Sequence, residues 1–127
     1  MAEGDAPRRP TPEYEDAPKD PENYLRLRLD VPGLKKMKLK NKPANANVTL
    51  DAQEMSLKVN IDLLDNVTPK KYEYRVKQLP DPILTGPNET FWKVKRNDEV
   101  VVMLRKASPR KWNTELQMKG LDVAPDS

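Results

Sequence analysis

The 127-residue sequence contains neither cysteine nor histidine. Without cysteine there is no disulfide framework and no thiolate; without histidine the commonest metal ligand and the usual near-neutral general base are missing. Zinc sites and serine or cysteine nucleophiles activated by histidine are thereby excluded. Long apolar runs are also lacking, and no stretch approaches the ~20 residues of a membrane-spanning helix. The opening AEGDAPRRPTPEYED has no apolar centre of the kind a secretory signal needs. These absences lead to the expectation of a cytoplasmic protein, or a nuclear one, with no membrane partner, no metal and no cofactor. Three Asn-X-Thr triplets, at Asn47, Asn66 and Asn88, match the glycosylation acceptor but have no secretory context.

What is present is charge and proline. Apolar residues make up 36% and charged residues 34%, which suits one modest core under a heavily solvated surface. The 23 basic and 20 acidic side chains nearly cancel to +3, so the distribution of charge matters more than its sum. Pro7, Pro10, Pro12, Pro18 and Pro21 crowd the start, and residues 1–21 read as a disordered, acidic, proline-rich arm. Residues 117–127, with Gly120 and Pro125, read as a flexible C-terminal tail.

Between these ends the pattern has period two. Leu25, Leu27, Leu29 and Val31 alternate with Tyr24, Arg26, Arg28 and Asp30, which predicts a strand with one dry and one charged face, ended by Pro32-Gly33. Asn47 to Leu50 and Met55 to Ile61 predict a hairpin, and Leu63 to Pro69 a looser connector. Tyr72, Tyr74 and Val76 alternate with Lys71, Glu73, Arg75 and Lys77. Pro80 and Pro82 confine the next segment to a sheet edge, with Ile83 or Leu84 reaching the core. Phe91 and Trp92, a turn at Arg96-Asn97-Asp98 and the run Val100 to Leu104 predict a second hairpin, its last strand the most buried of the domain. The fold class expected is an all-β, antiparallel sandwich of six or seven short strands.

Catalysis is not expected. Asp98-Glu99 and Asp62 with Asp65 are turn residues by spacing, and none sits beside a plausible acid-base partner. The outward strand positions are basic instead: Arg26 and Arg28; Lys71, Arg75 and Lys77; Lys93, Lys95 and Arg96; Arg105, Lys106, Arg110 and Lys111. Such a face suits an acidic protein surface better than nucleic acid, because the aromatic and glycine pattern of a single-strand platform is missing. Trp92 and Trp112 read as core residues, with the alternative that Trp112, set among basic residues, is a half-buried anchor for that partner.

The run Val100 to Lys106 followed by Trp112, preceded by Trp92-Lys93-Val94 and a hairpin turn, resembles the C-terminal half of a CS domain. Leu29 to Lys36 similarly resembles the strand and V-P-G turn of the wider small-heat-shock-like superfamily. Within that group Tyr72-Glu73-Tyr74 and the L-R-K then R-K-W ending look nearest to calcyclin-binding (Siah-interacting) and NudC-type proteins. The resemblance covers residues 22–116 and implies a seven-stranded, immunoglobulin-like antiparallel sandwich and a monomeric, non-catalytic module. Such a module would act as a co-chaperone or adaptor docking on heat-shock protein 90 or on a chaperone, ubiquitin-ligase or dynein-related assembly. It carries partner binding onto Lys93, Lys95, Arg105, Lys106 and Trp112. The alternative is a holdase of the small-heat-shock type, whose assembly segment Leu121-Asp122-Val123 imitates weakly; a nucleic-acid-binding β domain comes third.

Overall fold

The computed structural model describes residues 8–64, 70–86 and 88–123. In chain order the elements are β1 (Thr11–Asp16), β2 (Tyr24–Asp30), β3 (Ala46–Ala52), β4 (Leu57–Leu63), β5 (Lys70–Gln78), β6 (Ile83–Leu84), β7 (Phe91–Lys93), β8 (Glu99–Lys106), the helix α1 (Asn113–Lys119) and β9 (Asp122–Val123). Two antiparallel sheets result. One is five-stranded, ordered β1-β2-β8-β6 with β7 also on β8; the other is four-stranded, ordered β3-β4-β5-β9.

The alternation in the sequence places the core. Leu25, Leu27 and Leu29 lie opposite Leu104, Val102 and Val100, and all six are fully buried. Leu57, Val59 and Ile61 of β4 and Tyr72, Tyr74 and Val76 of β5 belong to the same apolar cluster. Each such side chain contributes about 1.5–3 kcal/mol on burial, whereas an exposed ion pair gives about 0–1 kcal/mol. The facing aliphatic rows therefore hold the sheets together, and the charged outer faces are free to serve another purpose. The all-β sandwich character expected from the sequence is present. Pro80 and Pro82 do confine the chain to an edge: β6 has two residues, pairs only with the end of β8, and buries Ile83.

Nine strands rather than seven occur among the described residues, and the two additions come from segments assigned to the tails. Residues 11–16 are not a disordered arm; they form β1 against β2. Their composition hides this, because β1 is held by the β2 ladder, by Glu13 and Glu15 facing Arg28 and Arg26, and by one buried carboxylate, Asp16. Pro12 is tolerated because β1 is an edge strand. Upstream, the Arg8 amide donates to the Lys71 carbonyl and its carbonyl accepts from the Glu73 amide, both at 2.8 Å. The chain thus crosses from one sheet to the other.

The C-terminal boundary also moves. Gln117 to Lys119 complete α1, whose Leu116 is buried, and Asp122–Val123 pairs with β5. A seven-residue helix with a single buried leucine carries too little periodicity to be visible in sequence. The connector expected at residues 63–69 lies outside the described residues from 65 onward; Leu63 is buried and Leu64 exposed.

Inside the core, burial pushes the Tyr74 phenol well above the usual tyrosine range, with nearby Tyr14 adding to the effect. Its hydroxyl has no hydrogen-bond partner among the described residues. Because a buried unpaired hydroxyl is unfavourable, Tyr74→Phe should raise the unfolding free energy by about 1 kcal/mol, measured as a higher urea midpoint. A loss of similar size would show that the hydroxyl has a partner in solution.

Candidate interaction site on the five-stranded sheet

The outer face of the five-stranded sheet is set by register. Arg26 lies opposite Met103 and Arg28 opposite Val101 across the β2–β8 ladder. On the other side of β8, Phe91 faces Met103 and Lys93 faces Val101. Each row thus runs from a β2 arginine over an apolar β8 residue to β7. Lys19 closes one end, and Lys95 and Arg96, just past β7, close another, leaving a groove of about 420 Å³ floored by Val101 and Met103.

The electrostatics are one-sided. Arg26 pairs with Glu15, and Arg28 with Glu13 at 3.0 Å, so both arginines are fixed from β1. Glu99, the one acid lining the groove, is held by Arg96 at 3.0 Å. Lys19, Lys93 and Lys95 have no ion-pair partner among the described residues. Partial burial lowers the Lys93 pKa below the ordinary lysine value, and the charges of Lys95, Arg26 and Lys19 lower it further. Lys93 is thus kept charged at neutral pH at some cost, and that cost fades as pH rises through the lowered pKa. An anion in the groove offsets the part of that cost that comes from the neighbouring cations.

Of the five residues expected to meet a partner, Lys93 and Lys95 line this groove. Arg105 lies farther along the same face, half-buried, stacked 5.2 Å from the Tyr24 ring centroid and bonded to the Tyr24 hydroxyl at 3.2 Å. Lys106 and Trp112 are corrections, since neither reaches the surface. Lys106 points inward from the end of β8. Its ammonium donates to Asp16 Oδ1 at 2.6 Å and to the carbonyls of Pro21 and Arg110 at 2.7 and 2.6 Å. The same Asp16 carboxylate accepts from the backbone amides of Trp112 at 2.9 Å and Asn113 at 3.0 Å, at the start of α1. Trp112 is fully buried, with the Lys106 ammonium 5.2 Å from its ring centroid. A basic residue beside a tryptophan reads as surface until its carboxylate is found, and that carboxylate is 90 residues away in the chain.

The basic groove residues missing from the expected set are Lys19, Arg26, Arg28 and Arg96. The β2 alternation already turned both arginines outward; Lys19 was hidden by the reading of residues 1–21 as an arm. Among the described residues no three of His, Cys, Asp and Glu come together to hold a metal, and no helix is long and apolar enough to cross a membrane. Comparisons of the chain with protein-family models, with curated proteins and with solved structures find no match, so the groove itself carries the functional argument.

Proposed function

We propose that this chain is a non-catalytic protein-interaction module that binds an acidic segment of a partner protein in the groove over Val101 and Met103. The observation that supports it is the set of ammonium groups of Lys19, Lys93 and Lys95, without ion-pair partners among the described residues, around an apolar floor. Carboxylates would meet the rim while an apolar side chain between them covers the floor, a combination that gives steering and anchoring together. The volume falls in the range of sites that enclose a small ligand or a few residues of peptide. Order and spacing along the strands resemble a CS domain, and on that basis the partner class is heat-shock protein 90 or a chaperone, ubiquitin-ligase or dynein-related assembly. The holdase alternative draws no support from Leu121-Asp122-Val123, because Asp122–Val123 pairs with the chain's own β5.

An NMR titration with purified heat-shock protein 90, and in parallel with an acidic peptide bearing a central leucine, tests the proposal. The amides of Arg26, Arg28, Lys93, Lys95, Val101 and Met103 should shift together, and the shifts should shrink as salt rises. Shifts confined to the four-stranded sheet would reject the site. Binding of the peptide without the chaperone would keep the site and reject that partner.

A further inference from the structure

Residues 31–50 contain five lysines, at 35, 36, 38, 40 and 42, and no aspartate or glutamate. The structure folds residues 35–44 of this segment into a small surface hairpin. Lys36 and Pro43 bridge its base, the Met37 amide donates to the Lys42 carbonyl at 2.9 Å, and the Ala44 amide donates to the Lys35 carbonyl at 2.7 Å. Leu34, fully buried, roots it in the core. The Val94 amide donates to the Asn41 carbonyl at 2.9 Å, and the Lys36 amide donates to Asn97 Oδ1 at 2.8 Å, which ties it to the β7–β8 end of the sandwich.

At the tip stands Leu39, 101% exposed, with Met37 exposed behind it. Leu39 also has φ of 63°, a left-handed conformation that a leucine adopts at a cost and a glycine does not. The fold gains nothing from this side chain: it packs on no core residue, and glycine would make the same turn with less strain. Lysines alternate with the two apolar residues, and Lys42 lies 5.5 Å from the ring centroid of half-buried Trp92 at the base. An exposed leucine flanked in sequence by Lys38 and Lys40 matches an anionic bilayer surface, the side chain meeting the acyl boundary and the ammonium groups the phosphates.

We propose that the hairpin 35–44 is a docking tip for anionic phospholipid membranes, with Leu39 inserted at the acyl boundary and the neighbouring Lys38 and Lys40 at the phosphates. An acidic protein segment would satisfy the lysines but would leave an isolated projecting leucine without a cavity to enter. The expectation of no membrane partner rested on the lack of a spanning segment and does not bear on surface docking. The proposal is also independent of the groove, since it uses other residues.

Co-sedimentation with vesicles of phosphatidylcholine alone, or mixed with phosphatidylserine, tests it. The protein should bind the phosphatidylserine vesicles only, and more weakly as salt rises. Leu39→Gly should weaken that binding about tenfold while the melting temperature stays level or rises. Lys38→Gln with Lys40→Gln should weaken it by about fivefold per lysine. In a Leu39→Trp variant the fluorescence should shift to the blue on adding the same vesicles. Absence of binding to phosphatidylserine vesicles at low salt would overturn the proposal. So would Leu39→Gly binding as tightly as the natural sequence, which would leave a purely electrostatic contact. Leu39-dependent binding of a polyglutamate peptide without vesicle binding would assign the hairpin to an acidic protein instead, and would overturn it equally.

Discussion

Replacing Asp16 by alanine is expected to cost about 3–5 kcal/mol of unfolding free energy, read as a lower urea midpoint and a melting temperature lower by roughly 10–20 °C. The size follows from what the carboxylate holds. It is the charged partner of Lys106, both side chains being essentially inaccessible, and it accepts the amides of Trp112 and Asn113. Alanine leaves an ammonium buried with only two carbonyls to solvate it, and leaves the first amides of α1 unsatisfied. Asp16→Asn keeps an acceptor for those amides and should recover part of the loss. Adding Lys106→Met to Asp16→Ala should cost less than the sum of the single changes by about 1 kcal/mol or more, because the orphaned charge is gone. A loss below about 1 kcal/mol for Asp16→Ala would mean that the pair behaves as a surface salt bridge. Deleting the first 16 residues should do at least as much damage as the point change, whereas trimming a tail would do none.

The second large effect is on binding. Lys93→Glu with Lys95→Glu should reduce affinity for the acidic peptide about 100-fold, close to 2.7 kcal/mol, with little change in stability. Neither lysine has a carboxylate partner among the described residues to lose, and removing the Lys93 charge relieves repulsion already felt in the free protein. Each reversal exchanges attraction for repulsion at the rim, so the loss should appear mostly in the association rate and should shrink in high salt. Lys71→Glu with Lys77→Glu is the control. It makes the same change in net charge at exposed positions on β5, in the other sheet, and should alter affinity by no more than about threefold. Equal losses for the two pairs would show that overall charge, and not the groove, governs binding.

Much of the sandwich was legible because period two is a local signal. Leu25-Leu27-Leu29, Leu57-Val59-Ile61 and Tyr72-Tyr74-Val76 each announce their buried face within seven residues, and β2, β4 and β5 lie where those patterns put them. The cationic face was legible for the same reason, since Arg26 and Arg28 fall between those leucines. What escaped were contacts that join distant parts of the chain. β1 is polar and proline-bearing by itself and becomes a strand only beside β2. Lys106 and Trp112 look accessible until Asp16 is brought to them. The groove depends on register across three strands, which no single stretch of sequence records.

The Asp16 bond network also bears on when this domain can finish folding. It joins residue 16 to residues 106, 112 and 113, sequence separations of 90 to 97. β2 likewise waits for β8, its partner on the core side, while the β3–β4–β5 meander needs only near neighbours. During synthesis the β3–β4–β5 meander can therefore pair early, while the β1–β2 pair leaves the ribosome with β8, the next strand of its sheet, still unmade. Closure comes with the last segment of the chain, when Lys106 and the Trp112 amide arrive at a carboxylate made about a hundred residues before.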